Sequence, residues 1–232
     1  TVTARWDDGP TRLEATLGVF GEVTPPFELP PRPHPMVERR DRTLTMKREQ
    51  AHLVVGAPGV ALDDPRRHAL DILATALGGQ SGRLFLELRD RRSLAYSVSA
   101  MHLDGFHPGA FAAYIATRPD RAEEAEQALR DELSSSAERL SEDEVRRAKQ
   151  YLMGSHEISL QRATARASAM ALMEAYGRGY DEPFSYADAV EAVSVDHVRD
   201  VARALFSTDG WVTARVLPER APSPPVRSPA SS

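Results

Sequence analysis

The sequence contains no cysteine. That absence removes disulfide scaffolds, thiolate zinc sites and cysteine nucleophiles from consideration. Nor is there an apolar run near the roughly 20 residues that a bilayer-spanning helix needs, and the mean hydropathy is −0.41, so no membrane span is expected. Thr1 to Asp8 carries one basic side chain and nothing like the apolar stretch of a secretory leader. A soluble chain of the cytoplasm or periplasm is the expectation, without a choice between them. Lysine is nearly missing: of 29 lysine and arginine residues, only Lys47 and Lys149 are lysine. Arginine is the better bidentate ligand for carboxylate and phosphate, but so uniform a bias reads as the codon composition of the source genome. Positive charge is not in excess either. A formal net charge of −5 and a pI near 5.8 argue against wholesale phosphate binding, so no nucleic-acid partner is expected.

What is present is a globular composition: of 232 residues, 41% are hydrophobic and 27% charged, enough chain for one or two domains with a buried core. Residues 24–35, TPPFELPPRPHP, hold six prolines in twelve positions and predict an extended linker. Before it, residues 1–23 read as a short βα piece, with Val2, Ala4 and Trp6 alternating and a helix from Pro10 or Thr11 to about Phe20. One strand and one helix cannot make a core, so this piece belongs to a preceding domain. Residues 218–232, PERAPSPPVRSPASS, read as a disordered tail.

The intervening 36–217 is a mixed pattern. Strands are predicted at 42–47, 50–57, 94–103, 109–117 and 211–217. A helix with Asp63 or Asp64 as cap and Pro65 in its first turn carries Leu70, Leu73, Ala74 and Leu77 on one face and ends at Gly78-Gly79. A second helix is predicted at 81–92, and Ser141-Glu142-Asp143-Glu144 is a capping box for a later one. Strands in hairpins and helices in runs predict an α+β fold: an antiparallel-rich mixed sheet with helices packed on it.

The chemistry-bearing residues give little by spacing alone. None of His34, His52, His68, His102, His107, His156 and His197 pairs at the four-residue spacing of a helical zinc site; His102 and His107 flank a turn without a third ligand. Gly78-Gly79-Gln80-Ser81-Gly82-Arg83 lacks the ending of a phosphate loop and reads as a tight helix–helix connection. In Ser81 to Ser99, SGRLFLELRDRRSLAYSVS, Leu84, Phe85 and Leu88 make a buried stripe with Arg89 at its edge. Arg83, Glu87 and Arg91 are spaced for ion pairs, and Tyr96 is predicted to share a strand face with Leu94 and Val98. On these grounds Arg89 is a solvated helix residue and Tyr96 a sheet aromatic.

The same stretch, Leu77-Gly78-Gly79, Ser81-Gly82-Arg83-Leu84-Phe85, Glu87-Leu88-Arg89 and Leu94-Ala95-Tyr96-Ser97-Val98, resembles the C-terminal half of the pitrilysin/insulinase family. These are inverzincin metallopeptidases, a group that includes the mitochondrial processing peptidase. Gly109-Ala110-Phe111, Leu140 to Leu160 and residues 194–205 extend the resemblance over about 1–217. It implies one of two homologous α+β halves of a two-lobed peptidase. The first half carries HxxEH and binds zinc; the second binds no metal and supplies an arginine and a tyrosine seven residues apart, matched here by Arg89 and Tyr96. Gly78, Gly79 and Gln80 resemble, in shortened form, a glycine-rich substrate loop. HxxEH is absent, so the expectation is a chain inactive alone, with zinc held by an HxxEH-bearing N-terminal domain or catalytic subunit. Such a chain would work in a homo- or heterodimer and close on a peptide substrate. A structural or assembly subunit and a peptide-binding module remain alternatives.

Overall fold

The computed structural model describes residues 39–79, 81–207 and 210–219. The βα piece read at 1–23, the linker 24–35, Gln80 and the tail from residue 220 onward lie outside the described residues. In chain order the elements are β1 (Arg40–Met46), β2 (Ala51–Pro58), α1 (Arg67–Gly78), a π-helical segment (Phe85–Arg91), β3 (Ser97–Leu103) and β4 (Ala110–Thr117). A 3₁₀ turn (Pro119–Arg121) then leads into α2 (Ala122–Ser134), α3 (Ser136–Arg139), α4 (Glu142–Ser159), α5 (Ala163–Ala175), α6 (Glu182–Glu191), α7 (Val195–Phe206) and β5 (Val212–Pro218). The strands form one sheet in the order β1-β5-β2-β4-β3. Every pairing is antiparallel except β1 with β5, which run parallel. This is the α+β architecture with an antiparallel-rich sheet that the strand and helix order predicts.

Alternation places the sheet on its core. In β2, Ala51, Leu53, Val55 and Ala57 are buried while His52, Val54, Gly56 and Pro58 turn to the other face. Leu70, Leu73 and Leu77 of α1, Leu129 and Leu133 of α2, and Val198, Ala202 and Phe206 of α7 join them in one apolar cluster. Each fully buried leucine contributes about 2 kcal/mol of transfer free energy. β1 is the exception, because all seven of its residues are exposed. It is held by its backbone ladder to β5 and adds nothing to the core.

Two local expectations change. Pro65 does not open α1: Asp64 accepts a hydrogen bond from the Arg66 N–H (2.8 Å) in a turn, and the helix starts at Arg67. The 81–92 helix is a π-helix over most of its length. The capping box of α4 forms as read, with Ser141 Oγ accepting from the Glu144 N–H and Glu144 accepting from the Ser141 N–H at 2.8 Å.

The end of α1 meets β3 almost without clearance. A Cβ built on Gly78 would lie 2.1 Å from the Ala100 nitrogen. Gly78→Ala is therefore expected to destabilise the chain by about 2–3 kcal/mol, since backbone rather than a flexible side chain must move. Gly154, inside α4, has nothing within 4 Å of its Cβ position. Gly154→Ala is expected to stabilise by about 0.5–1 kcal/mol through helix propensity. Denaturant unfolding of the two variants checks the contrast in sign.

Candidate functional site

The stretch from Gly78 to Ser97 is built around one helix-to-strand turn. Leu84 and Leu88 are fully buried, which anchors one side of the π-helical segment and turns Arg89 outward. The segment closes at Ser93, whose φ of 49° makes it the non-glycine residue of positive φ among the described residues. Beyond it the Leu94 N–H reaches back to the Leu88 carbonyl at 2.7 Å, and Leu94 joins Leu88 in the core. This is the logic of a Schellman cap: a left-handed residue reverses the chain, and an apolar residue after it packs on the last turn.

Tyr96 does not share a face with Leu94 and Val98. Those two are 3% and 9% exposed, whereas Tyr96 is 52% exposed. The backbone gives the reason. The Tyr96 N–H donates to the Ala116 carbonyl (2.8 Å), yet it is Ser97 that pairs with Ala116 in the ladder. Two residues facing one is the arrangement of a β-bulge, which breaks the alternation and re-aims a side chain. Tyr96 and Ser97 are accordingly both exposed.

The arginines nearby are mostly committed. Arg83 Nη2 donates to Glu144 Oε2 (2.7 Å) and to the Arg139 carbonyl (2.6 Å), not to Glu87 as the spacing predicts. Glu87 accepts instead from Arg91 at 2.5 Å. Arg139 pairs with Glu132 at 2.9 Å, Arg121 with Glu124, and Arg118 with Asp120. Arg89 has no carboxylate partner among the described residues; its guanidinium carbon sits 4.9 Å from the centroid of the Phe85 ring. The Tyr96 hydroxyl likewise has no hydrogen-bond partner among them.

Gly78 and Gly79 behave first as a tight connector. The Gly79 N–H caps α1 on the Thr75 carbonyl (3.1 Å), and the Gly82 N–H bonds the Gly79 carbonyl (2.8 Å). The connector also borders an open cavity of about 430 Å³ lined by Thr75, Gly79, Ser81, Glu144, Arg147 and Tyr151. Gln80, the third residue assigned to the loop, is outside the described residues.

His102 is structural, and the spacing gave no sign of it. Its Nδ1 lies 2.8 Å from Asp71 Oδ1 on α1, and His68 Nδ1 lies 3.7 Å from the other oxygen. Arg67 Nη2 can only donate to His68 Nε2 (3.2 Å), which makes His68 the neutral Nδ1–H tautomer. No group of three or more His, Asp or Glu residues among the described residues could hold a metal ion. The described side chains therefore do not fit a zinc ion. Among the described residues, no helix is long and apolar enough to cross a membrane.

The geometry defines an α+β domain with an exposed arginine and tyrosine, and with no cluster of metal-ligating side chains among the described residues. Comparison with known proteins supplies the family. The fold matches a crystal structure described as a peptidase M16 inactive domain from Pseudomonas fluorescens, with a TM-score of 0.73 and 21% identity over 88% of this chain and 48% of that one. It also matches the periplasmic protease PqqL of Escherichia coli, with a TM-score of 0.71 and 19% identity over 94% of this chain and 24% of that one. In sequence it is 40% identical over 166 residues to an uncharacterised zinc protease of Streptomyces coelicolor, covering 68% of this chain and 35% of the relative. Residues 11–152 match the family model for the peptidase M16 inactive domain. The chain belongs to that family, and it spans roughly a third to two fifths of the length of the curated relatives it matches.

Two predictions follow from the geometry around the site. A serine at positive φ is strained where glycine is not, so Ser93→Gly is expected to stabilise by about 0.5–1 kcal/mol in denaturant titration. The second concerns Asp71. Burial raises its carboxyl, but the hydrogen bond with His102 and the nearby His68 ring outweigh this and hold it below the usual value. A depressed folded-state value means the stabilisation is complete above the unfolded carboxyl's value near ~3.9 and disappears as pH falls through the lower folded value. Urea midpoints measured from pH 7 down to pH 3 are expected to fall across that acid window, and less steeply in Asp71→Asn.

Proposed function

We propose that this chain is the non-zinc half of a metallopeptidase and that it closes over an extended peptide, presenting Arg89 and Tyr96 to the scissile bond. On this reading it is inactive alone and works with an HxxEH-bearing N-terminal domain or catalytic subunit, in a homo- or heterodimer. The observation that carries the proposal is the unspent state of the pair. Arg83, Arg91, Arg118, Arg121 and Arg139 are each bonded to a carboxylate, while Arg89 and Tyr96, and Arg92 beside them in sequence, are exposed and unpaired among the described residues. A permanently charged guanidinium and a neutral phenol are both donors. Aimed at a peptide carbonyl, they favour the state in which its oxygen gains negative charge. Zinc, held by the partner half, supplies the Lewis-acid chemistry.

Gly78 and Gly79 are proposed to offer backbone to the peptide where Gly79 borders the cavity beside α4, with Gln80 completing the loop. The bare glycine surface suits close approach by another main chain.

The test is Tyr96→Phe in the assembled enzyme. Removing one donor to a developing oxyanion costs about 10²–10³ in turnover, so kcat is expected to fall about a hundredfold with KM little changed. Unchanged kcat would remove Tyr96 from the mechanism. The isolated chain is expected to cleave nothing. Absence of zinc-dependent cleavage with every copurifying HxxEH partner would instead make it a scaffold subunit.

A further inference from the structure

Arg89 is held without a carboxylate among the described residues, and its contact lies one turn back. A free arginine side chain carries about 2 kcal/mol of rotamer entropy and samples many positions. Glu87 and Asp90 are its acidic neighbours in sequence, at spacings that do not face Arg89 on a helix. Glu87 is occupied: Arg91 bonds it at 2.5 Å, and Arg139 lies 3.9 Å away. What Arg89 touches is the Phe85 ring, with the guanidinium carbon 4.9 Å from its centroid. Phe85 itself is half-buried and packs against the core cluster, so the ring is a fixed surface and not a mobile one.

The stereochemistry of this contact separates holding from spending. A guanidinium lying over an aromatic ring is attracted through its face, by the ring's quadrupole. None of the Arg89 N–H groups is hydrogen-bonded among the described residues, so its donors remain available to a planar acceptor. An ion pair would fix Arg89 equally well, but by consuming the donors that a peptide carbonyl needs.

We infer that Phe85 is a positioning residue whose ring holds the Arg89 guanidinium without an ion pair and so leaves its N–H donors for the peptide carbonyl. This rests on the function proposed for Arg89. The ring also explains why an aliphatic residue would not serve at this place in the stripe: leucine would fill the same space against the core yet offer the Arg89 cation no π face.

A double-mutant cycle in the assembled peptidase tests it, with an extended peptide substrate and kcat and KM read separately. Phe85→Leu is expected to lower kcat about fivefold with KM nearly unchanged, and Phe85→Trp to restore most of the loss. In the Arg89→Ala background, Phe85→Leu is expected to cost nothing more. Equal losses from Phe85→Leu in both backgrounds would overturn the positioning role while leaving Arg89 in place. If Arg89→Ala alone leaves kcat unchanged, the proposed function of Arg89 fails instead. Phe85→Met, which keeps volume and flexibility but removes the ring, is the second variant should leucine impair folding. A spectroscopic signature needs no activity: the Arg89 Nε–H proton is expected to carry a ring-current shift in this chain. That shift should vanish in Phe85→Met and persist in Phe85→Trp, and its persistence in Phe85→Met would overturn the stacking.

Discussion

Backbone meets backbone where Gly78, at the end of α1, rests against Ala100 of β3, with no room between them for a Cβ. This contact fixes how far α1 runs along the edge of the sheet before the chain must turn away. The turn is made by Gly79 and Gly82, each of whose Cβ positions would crowd backbone within about 3 Å. From that point the π-helical segment starts at a set height above β3, and its closing residue returns the chain to the same strand that Gly78 touches. Arg89 and Tyr96 are thus carried by a closed circuit: α1, connector, π-helical segment, Ser93 turn, β3. Moving α1 outward by the width of a methyl group would displace both.

A second constraint is the distribution of charge. In a chain so rich in arginine, an unpaired guanidinium near a carboxylate is hard to keep. Several of the nearby acceptors are engaged by other arginines. Glu144 serves at once in the α4 capping box and as partner to Arg83, and burial, which raises its carboxyl, is outweighed by hydrogen bonds from Ser141 and Arg83 that hold it low. Glu87 and Glu132 are taken up by Arg91 and Arg139. The exposed pairs contribute little to stability. Their effect is to leave Arg89 to an aromatic ring.

Much of the fold was legible because it depends on local periodicity. The alternation of Ala51, Leu53 and Val55, the helical stripe Leu70, Leu73 and Leu77, and the Ser141/Glu144 capping box each express their structure within a few residues. The resemblance carried by Ser81 to Ser99 was equally legible, and the family match over residues 11–152 agrees with it. Less legible were features whose cause lies elsewhere in the chain. Pattern placed Tyr96 on the face of Leu94 and Val98, because pattern assumes an unbroken period of two. The bulge that turns it outward requires the Ala116 carbonyl on another strand. Spacing assigned Glu87 to Arg83, but Glu144, 61 residues away, takes it. His102 showed no partner in sequence because Asp71 reaches it only across the α1–β3 interface.

The sequence by itself therefore determined the α+β class, the core faces, the lack of cysteine and of a histidine zinc pair, and the family. Those follow from composition, from short-range periodicity and from a contiguous motif. The tertiary structure decided which way Tyr96 points, what holds Arg89, and that the segment carrying Arg89 is π-helical with a left-handed serine just beyond its end. These depend on close approaches between residues distant along the chain, such as Gly78 on Ala100 and Tyr96 on Ala116. Such approaches exist only once the helices are packed on the sheet.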